Sequence, residues 1–164
     1  MRVIGLIPSR LNSTRLASKA LLQIDGLPLV IHTLKRSQMA KTLADVYVCT
    51  DSERIERAVL DHGGKAIMTR SDHTNGTERI AEAAKELRAD YFLDIQGDEP
   101  LIDPDHIDAV VKEHALHPEW DILLPSLPIS HPESPHVVKV AHDSSMRVMF
   151  LSRSVIPQPF RRRP

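Results

Sequence analysis

Three cations, Arg10, Arg15 and Lys19, stand close together in the segment PSRLNSTRLASK, with the hydroxyls of Ser9, Ser13 and Thr14 among them. A guanidinium offers a planar fork to phosphate oxygens, and an ammonium offers a mobile point charge. This composition suits a polyanion such as a triphosphate. The segment holds no glycine, so it is neither GxGxxG nor GxxxxGK[ST]. A solvated basic loop is the plain alternative. What favours phosphate is the place of the segment directly after a strand, where open α/β sheets bind their ligands.

Two further segments carry candidate groups. In QGDEPLID, Gly97 is expected to let the backbone turn sharply at a strand end. Asp98 would then stand at the ligand edge with Glu99 beside it. A carboxylate there suits Mg²⁺, which keeps several waters and is shared between one or two carboxylates and substrate phosphates. The alternative, favoured on spacing alone, is that these acids only satisfy loop amides. In TRSDHTNGTERI, residues Asn75, Gly76 and Thr77 can present backbone groups to a base edge or a sugar. A plain helix start explains the same residues better when the segment is taken by itself: Asn75 or Thr77 caps, and Glu78 complements the helix dipole.

The elements that must position these groups alternate. Val3–Ile7, Val46–Cys49, KAIM and YFLDIQ are short apolar runs suited to buried strands. Helical patterns lie between them. Pro28 opens one that carries Val30, Leu34 and Ser37. Asp51 or Ser52 caps one with Ile55, Ala58 and Val59. Ile80, Ala83, Ala84 and Leu87 follow the spacing of a buried helix face. Asp103 and Pro104 open another with Ile107, Val110 and Val111. This β-α alternation predicts a three-layer α/β/α domain around a mostly parallel sheet. Near the end, VVKVAHDSSMRVMFLS reads as two strands joined by a turn at Asp143 to Ser145.

Composition bounds the rest. The 164 residues carry 21 Lys plus Arg against 22 Asp plus Glu, a net charge of -1, which excludes whole-domain attraction to nucleic acid. This length suits one domain with a full core. The single cysteine, Cys49, excludes an internal disulfide and falls in a predicted strand, so a buried inert thiol is expected. The nine histidines lack paired cysteines or an HExxH pattern, which argues against zinc. No apolar run reaches the roughly 20 residues that span a bilayer, and the amino terminus lacks the layout of a signal peptide. A cytoplasmic protein without membrane or nucleic-acid partners is expected. Arg161 to Arg163 read as a frayed end rather than a phosphate site.

Taken in order, IPSRLNSTRLASKALLQIDGLPLVIH, CTDSERI, TRSDHTNGTER and QGDEPLID resemble the 3-deoxy-manno-octulosonate cytidylyltransferases. That family opens with an IPAR-x-x-STRLPGKPL-like loop and carries TR-x-DH-x-SGTER-like and QGDEP segments. The likeness runs on through VVKVAHDSSMRVMFLSRSVIP. It implies a nucleotide-diphospho-sugar transferase fold and a reaction of CTP with a 3-deoxy-2-ulosonic sugar acid, giving CMP-sugar and pyrophosphate for lipopolysaccharide biosynthesis. It implies that Arg10, Arg15 and Lys19, with Ser9 in the same loop, grip the triphosphate and that Asp98 binds Mg²⁺. Arg70, Ser71, Gly76 and Thr77 would lie near the nucleotide, Gln96 against bound substrate and Arg79 near the sugar carboxylate. Arg10, Lys19 and Asp98 would form the catalytic set.

The resemblance also has departures. LASKA stands where the family has LPGKP, keeping Lys19 but losing a glycine and two prolines that would preorganise the loop. The chain stops at PFRRRP, where the family continues with sugar-binding residues and a second metal-binding aspartate in a DTPEDL-like motif. The expectation is a C-terminally incomplete cytidylyltransferase domain over 1–164. Residues 1–100 would be its nucleotide-binding half, and 101–164 the start of a sugar-binding and dimerisation half, pairing into a homodimer. A truncated, non-catalytic CTP-binding chain or partner subunit is the alternative.

Overall fold

The computed structural model describes residues 1–11, 16, 18–131 and 133–156. Its core is a strand of near-continuous apolar residues, β1 (Val3–Ser9), buried on both faces. Parallel to it run β4 (Asp45–Thr50), β5 (Lys65–Met68) and β6 (Tyr91–Asp94), in the order β5-β4-β1-β6. The period-two alternation of each strand divides the core. Ile4, Leu6 and Cys49 pack with Ile80 and Ala83 on one face. Ile7, Val46 and Val48 pack with Ile31, Leu34, Ile55, Val59 and Ile107 on the other. The first face is covered by helix α3 (Gly76–Ala84), the second by α1 (Leu29–Ser37), α2 (Glu53–Asp61) and α4 (Pro104–Leu116). This is the three-layer α/β arrangement expected from the alternation.

Side-chain capping agrees with the sequence at two of the four helices. The Asn75 side chain accepts the Glu78 N–H at the start of α3, and Asp103 accepts the Asp105 N–H beside Pro104 at the start of α4. Pro28 and Ser52 occupy the cap positions of α1 and α2 without a side-chain cap bond. Helix α3 ends at Ala84, so Leu87 packs on the sheet from beyond the helix. A two-residue hairpin of β2 (Gln23–Ile24) and β3 (Leu27–Pro28) adds to the expected elements. It turns at Asp25 and Gly26, both at positive φ, the Asp-Gly signature of a primed turn.

Strand order sets where the sheet opens. From β1 the chain steps through α1 to β4 and through α2 to β5, both on one face, then crosses the opposite face through α3 to reach β6. The crossover direction reverses at β1, which leaves a crevice outside the carboxyl ends of β1 and β6. Register deepens it. Leu6 lies opposite Asp94, the last residue of β6, so β1 runs on through Ile7, Pro8 and Ser9 past the end of its neighbour.

The chain divides into two compact units, Met1–Asp121 and Ile122–Pro164. The second unit contains an antiparallel hairpin of β7 (Lys139–His142) and β8 (Val148–Ser152). Its turn is held by Asp143, whose carboxylate accepts from the Ser145 and Arg147 N–H groups and the Ser145 hydroxyl. The two strands and the position of the turn agree with the pattern in the sequence. Lys139 is buried, and its ammonium donates to the Ser134 and Arg153 carbonyls. No helix among the described residues is long and apolar enough to cross a membrane.

Candidate functional site

Pro8, near the end of β1, is where the separate segments meet. A Cβ placed on Gly97 would lie 2.7 Å from the Pro8 carbonyl oxygen, and one on Gly76 would lie 3.1 Å from the Pro8 Cγ. The turn after β6 and the start of α3 therefore close on the same strand tip from two sides. Gly97 is not at positive φ. Its lack of a side chain is needed for close approach of two backbones, not for the sharp turn expected from the sequence. Thr33, fully buried on α1, donates its hydroxyl to the Gly97 carbonyl at 3.3 Å and supports the turn from below.

On this turn Asp98 meets Lys19. The Lys19 Nζ lies 2.6 Å from Asp98 Oδ2, joining residues 79 apart in sequence. Lys19 opens a short 3₁₀ turn, Lys19–Leu21, entered through Ser18 at positive φ. The two side chains are 39% and 51% exposed, so the pair is open to solvent and adds little to stability by itself. Ser9 is buried at the tip of β1, and Arg10 comes next in an exposed position. Arg15 lies outside the described residues, as do Ser13 and Thr14. Gln96 is exposed and donates to Asp94 Oδ1 at 3.1 Å. Burial pushes the Asp94 carboxyl above its ordinary value, and the bond from Gln96 opposes this.

The segment after β5 is shaped by two carboxylates of α3. Glu82 accepts the Arg70 N–H and pairs with the His73 imidazole, which hold its carboxyl below the ordinary value. Glu78 accepts from the Thr74 N–H and hydroxyl and from the Asn75 amide, with the same effect. Arg70 pairs with Asp72 at 3.1 Å, and Ser71 and Thr77 are exposed beside it. Arg79, expected near a sugar carboxylate, is instead 3% exposed. Its guanidinium is directed at Asp51 Oδ2 (3.0 Å), Thr69 Oγ1 (2.5 Å) and the Arg70 carbonyl (3.4 Å).

Lys19, Asp98, Arg10 and the loop from Arg70 to Thr77 thus share the carboxyl edge of one sheet. Sequence reasoning does not single out Asp51 as more than a cap, and it misses Thr69, Thr33 and Asp94. Asp51 and Thr69 each come directly after a strand, so the rule that points to Asp98 could also have found them. Among the described residues no group of three His, Cys, Asp or Glu side chains is arranged to hold a metal. Asp98 by itself fits a hydrated divalent ion shared with phosphate oxygens, because such an ion needs only one or two protein carboxylates.

A cytidylyltransferase family model matches residues 4–164, nearly the whole chain. The chain belongs to the cytidylyltransferase family. It is 41% identical over 163 residues to the 3-deoxy-manno-octulosonate cytidylyltransferase of Syntrophobacter fumaroxidans, covering 96% of this chain and 65% of that protein. It is 39% identical over 164 residues to the 8-amino-3,8-dideoxy-manno-octulosonate cytidylyltransferase of Shewanella halifaxensis, with 96% and 67% covered. A solved structure of CMP:2-keto-3-deoxy-manno-octonic acid synthetase complexed with CTP superposes with a TM-score of 0.86 at 36% identity, over 97% of this chain and 67% of that one. This family member thus spans just under two thirds of the Syntrophobacter protein. Two relatives of nearly equal identity are named for different sugar acids, so overall likeness does not select the sugar.

Proposed function

We propose that the first unit is the CTP-binding part of a cytidylyltransferase that activates a 3-deoxy-2-ulosonic sugar acid, with 3-deoxy-manno-octulosonate as the leading substrate. The observation that carries this reading is the meeting of Lys19 and Asp98 at the β1–β6 crevice. A cation beside a carboxylate at a strand tip suits a metal-bound triphosphate: the ammonium takes phosphate oxygens and the carboxylate takes the ion. The reading agrees with the 36%-identical structure complexed with CTP, whose fold matches over 97% of this chain.

In the proposed reaction the sugar's anomeric hydroxyl gives up its proton to solvent and its oxygen bonds to the α-phosphorus of CTP. The bond from that phosphorus to the bridging oxygen breaks, and pyrophosphate leaves. Lys19 and Arg10, with Arg15 on the same segment, neutralise charge on the triphosphate, while Ser9 and the adjoining backbone order the tip of β1. The segment with Arg70, Ser71, Gly76 and Thr77 faces the nucleoside, and Gln96 lies toward the sugar side. These groups act by positioning and charge complementarity, both of which are effective in a preorganised site. Asp98 would hold Mg²⁺, which supplies charge neutralisation at the phosphates. Two copies pairing through the second unit belong to the same reading, since Met149, Phe150 and Leu151 of β8 are exposed there.

The test is release of pyrophosphate from CTP, Mg²⁺ and 3-deoxy-manno-octulosonate. Release is expected, with loss in Asp98→Ala and weakened CTP binding in Lys19→Ala at unchanged melting temperature. Saturable CTP binding without pyrophosphate under any condition would replace the enzyme with a nucleotide-binding chain. Unchanged CTP affinity in Lys19→Ala would remove that residue from the site.

A further inference from the structure

A guanidinium withdrawn from water is tolerated only where its charge and its donors are matched. Arg79 meets this condition inside the chain. Asp51, the residue after β4, supplies the charge, and Thr69 and the Arg70 carbonyl, directly after β5, accept further N–H groups. One side chain from the first turns of α3 therefore ties together the tips of two neighbouring strands. A ligand carboxylate could reach it only by displacing Asp51 and uncovering a group that is 3% exposed.

The other contacts of the loop differ in kind. Glu78 and Glu82 bond Thr74, Asn75, His73 and Arg70, but these two acids belong to α3 itself. They give the loop its shape and would travel with the helix. The Thr69 N–H still bonds the Thr50 carbonyl at 2.8 Å, so the ladder holds the chain to that point. Beyond Thr69, the Arg79–Asp51 pair and the contact of Gly76 with Pro8 register the loop on the sheet edge.

We infer that Arg79 is a positioning residue that indexes the 69–77 loop to the tip of β4, and through it sets the nucleotide side of the site without touching the sugar. The link to nucleotide binding rests on the proposed CTP reading; the mechanical role does not. Lysine in its place can keep one charged contact but cannot bridge Asp51, Thr69 and the Arg70 carbonyl together.

The experiment compares the whole chain with Arg79→Lys, Asp51→Asn and Thr69→Val, the last two each removing one arm should Arg79→Lys not fold. Amide hydrogen exchange without nucleotide is read across 69–77 and across β1 and α1. Exchange in 69–77 is expected to rise about tenfold in the variants, as for loss of a charge-assisted hydrogen bond, with β1 and α1 unchanged. Titration with CTP is expected to show a Kd weakened by a similar factor, and the KM for the sugar acid is expected to hold. Wild-type exchange in 69–77, or exchange raised equally in β1 and α1, would overturn the proposal. So would a raised sugar KM at constant CTP Kd, which would put Arg79 on the sugar. Should the wild-type chain bind no CTP, the cytidylyltransferase reading fails, and the exchange data still decide the role of Arg79.

Discussion

Replacing Gly97 with alanine tests whether the approach of two strand tips builds the site. The new methyl carbon would sit 2.7 Å from the Pro8 carbonyl oxygen, a backbone atom that cannot rotate away as a side chain could. Reaching ordinary contact at 3.4 Å requires the turn or the tip of β1 to move by roughly 0.7 Å. Overpacking of this kind costs about 1–3 kcal/mol, or roughly 2–12 °C in melting temperature for a chain of this size. The larger effect is expected on Asp98, the next residue. A misplacement near 1 Å lowers rates on the order of a hundredfold, so a fall in kcat of about tenfold to a hundredfold is expected, at a smaller change in CTP affinity. Gly63→Ala is the control. Gly63 is also strained by a side chain, having φ +76, but nothing lies within 4 Å of its Cβ position, and it stands after α2 at the other end of the sheet. It should lose about 1 kcal/mol and keep its kcat. Calorimetry and the pyrophosphate assay read both variants. A Gly97→Ala protein with wild-type melting and wild-type kcat would refute the close-approach argument.

Ionisation gives two other expected outcomes. Glu82 has a folded-state pKa below its ordinary value of 4.5, because the His73 imidazole and the Arg70 N–H favour its charged form. The order it gives the 70–78 loop is therefore present above that ordinary value and is lost as pH falls through the depressed one. Amide exchange in the loop should separate wild type from Glu82→Gln at neutral pH and converge at low pH; a constant difference across the range would remove the carboxylate from this role. Cys49 is fully buried, and burial pushes its thiol up to about 12, so it should resist alkylation at pH 8 in the native protein and react on unfolding. Modification of the folded chain at the rate of a free thiol would contradict its placement in β4.

Much of this protein is legible along the chain. The apolar runs mark β1, β4, β5 and β6, and Asn75 and Asp103 mark the starts of two helices, because strand burial and capping are decided by a few adjacent residues. Asp25–Gly26 is a turn signal of the same local kind, although the two-residue strands beside it are too short to show a period. The charge of Lys19 and Asp98 and their places after strands also come from sequence. What the sequence does not decide is distance across the sheet. That Lys19 lies 2.6 Å from Asp98 depends on β1 and β6 being neighbours, with β1 running past the end of β6. Strand order and register are set by how whole layers pack, not by spacing along the chain. The same cause explains Gly97 and Arg79. Sequence shows a glycine and a cation near a site, but only the packed structure shows that the glycine admits the Pro8 carbonyl and that the cation faces inward to Asp51 and Thr69.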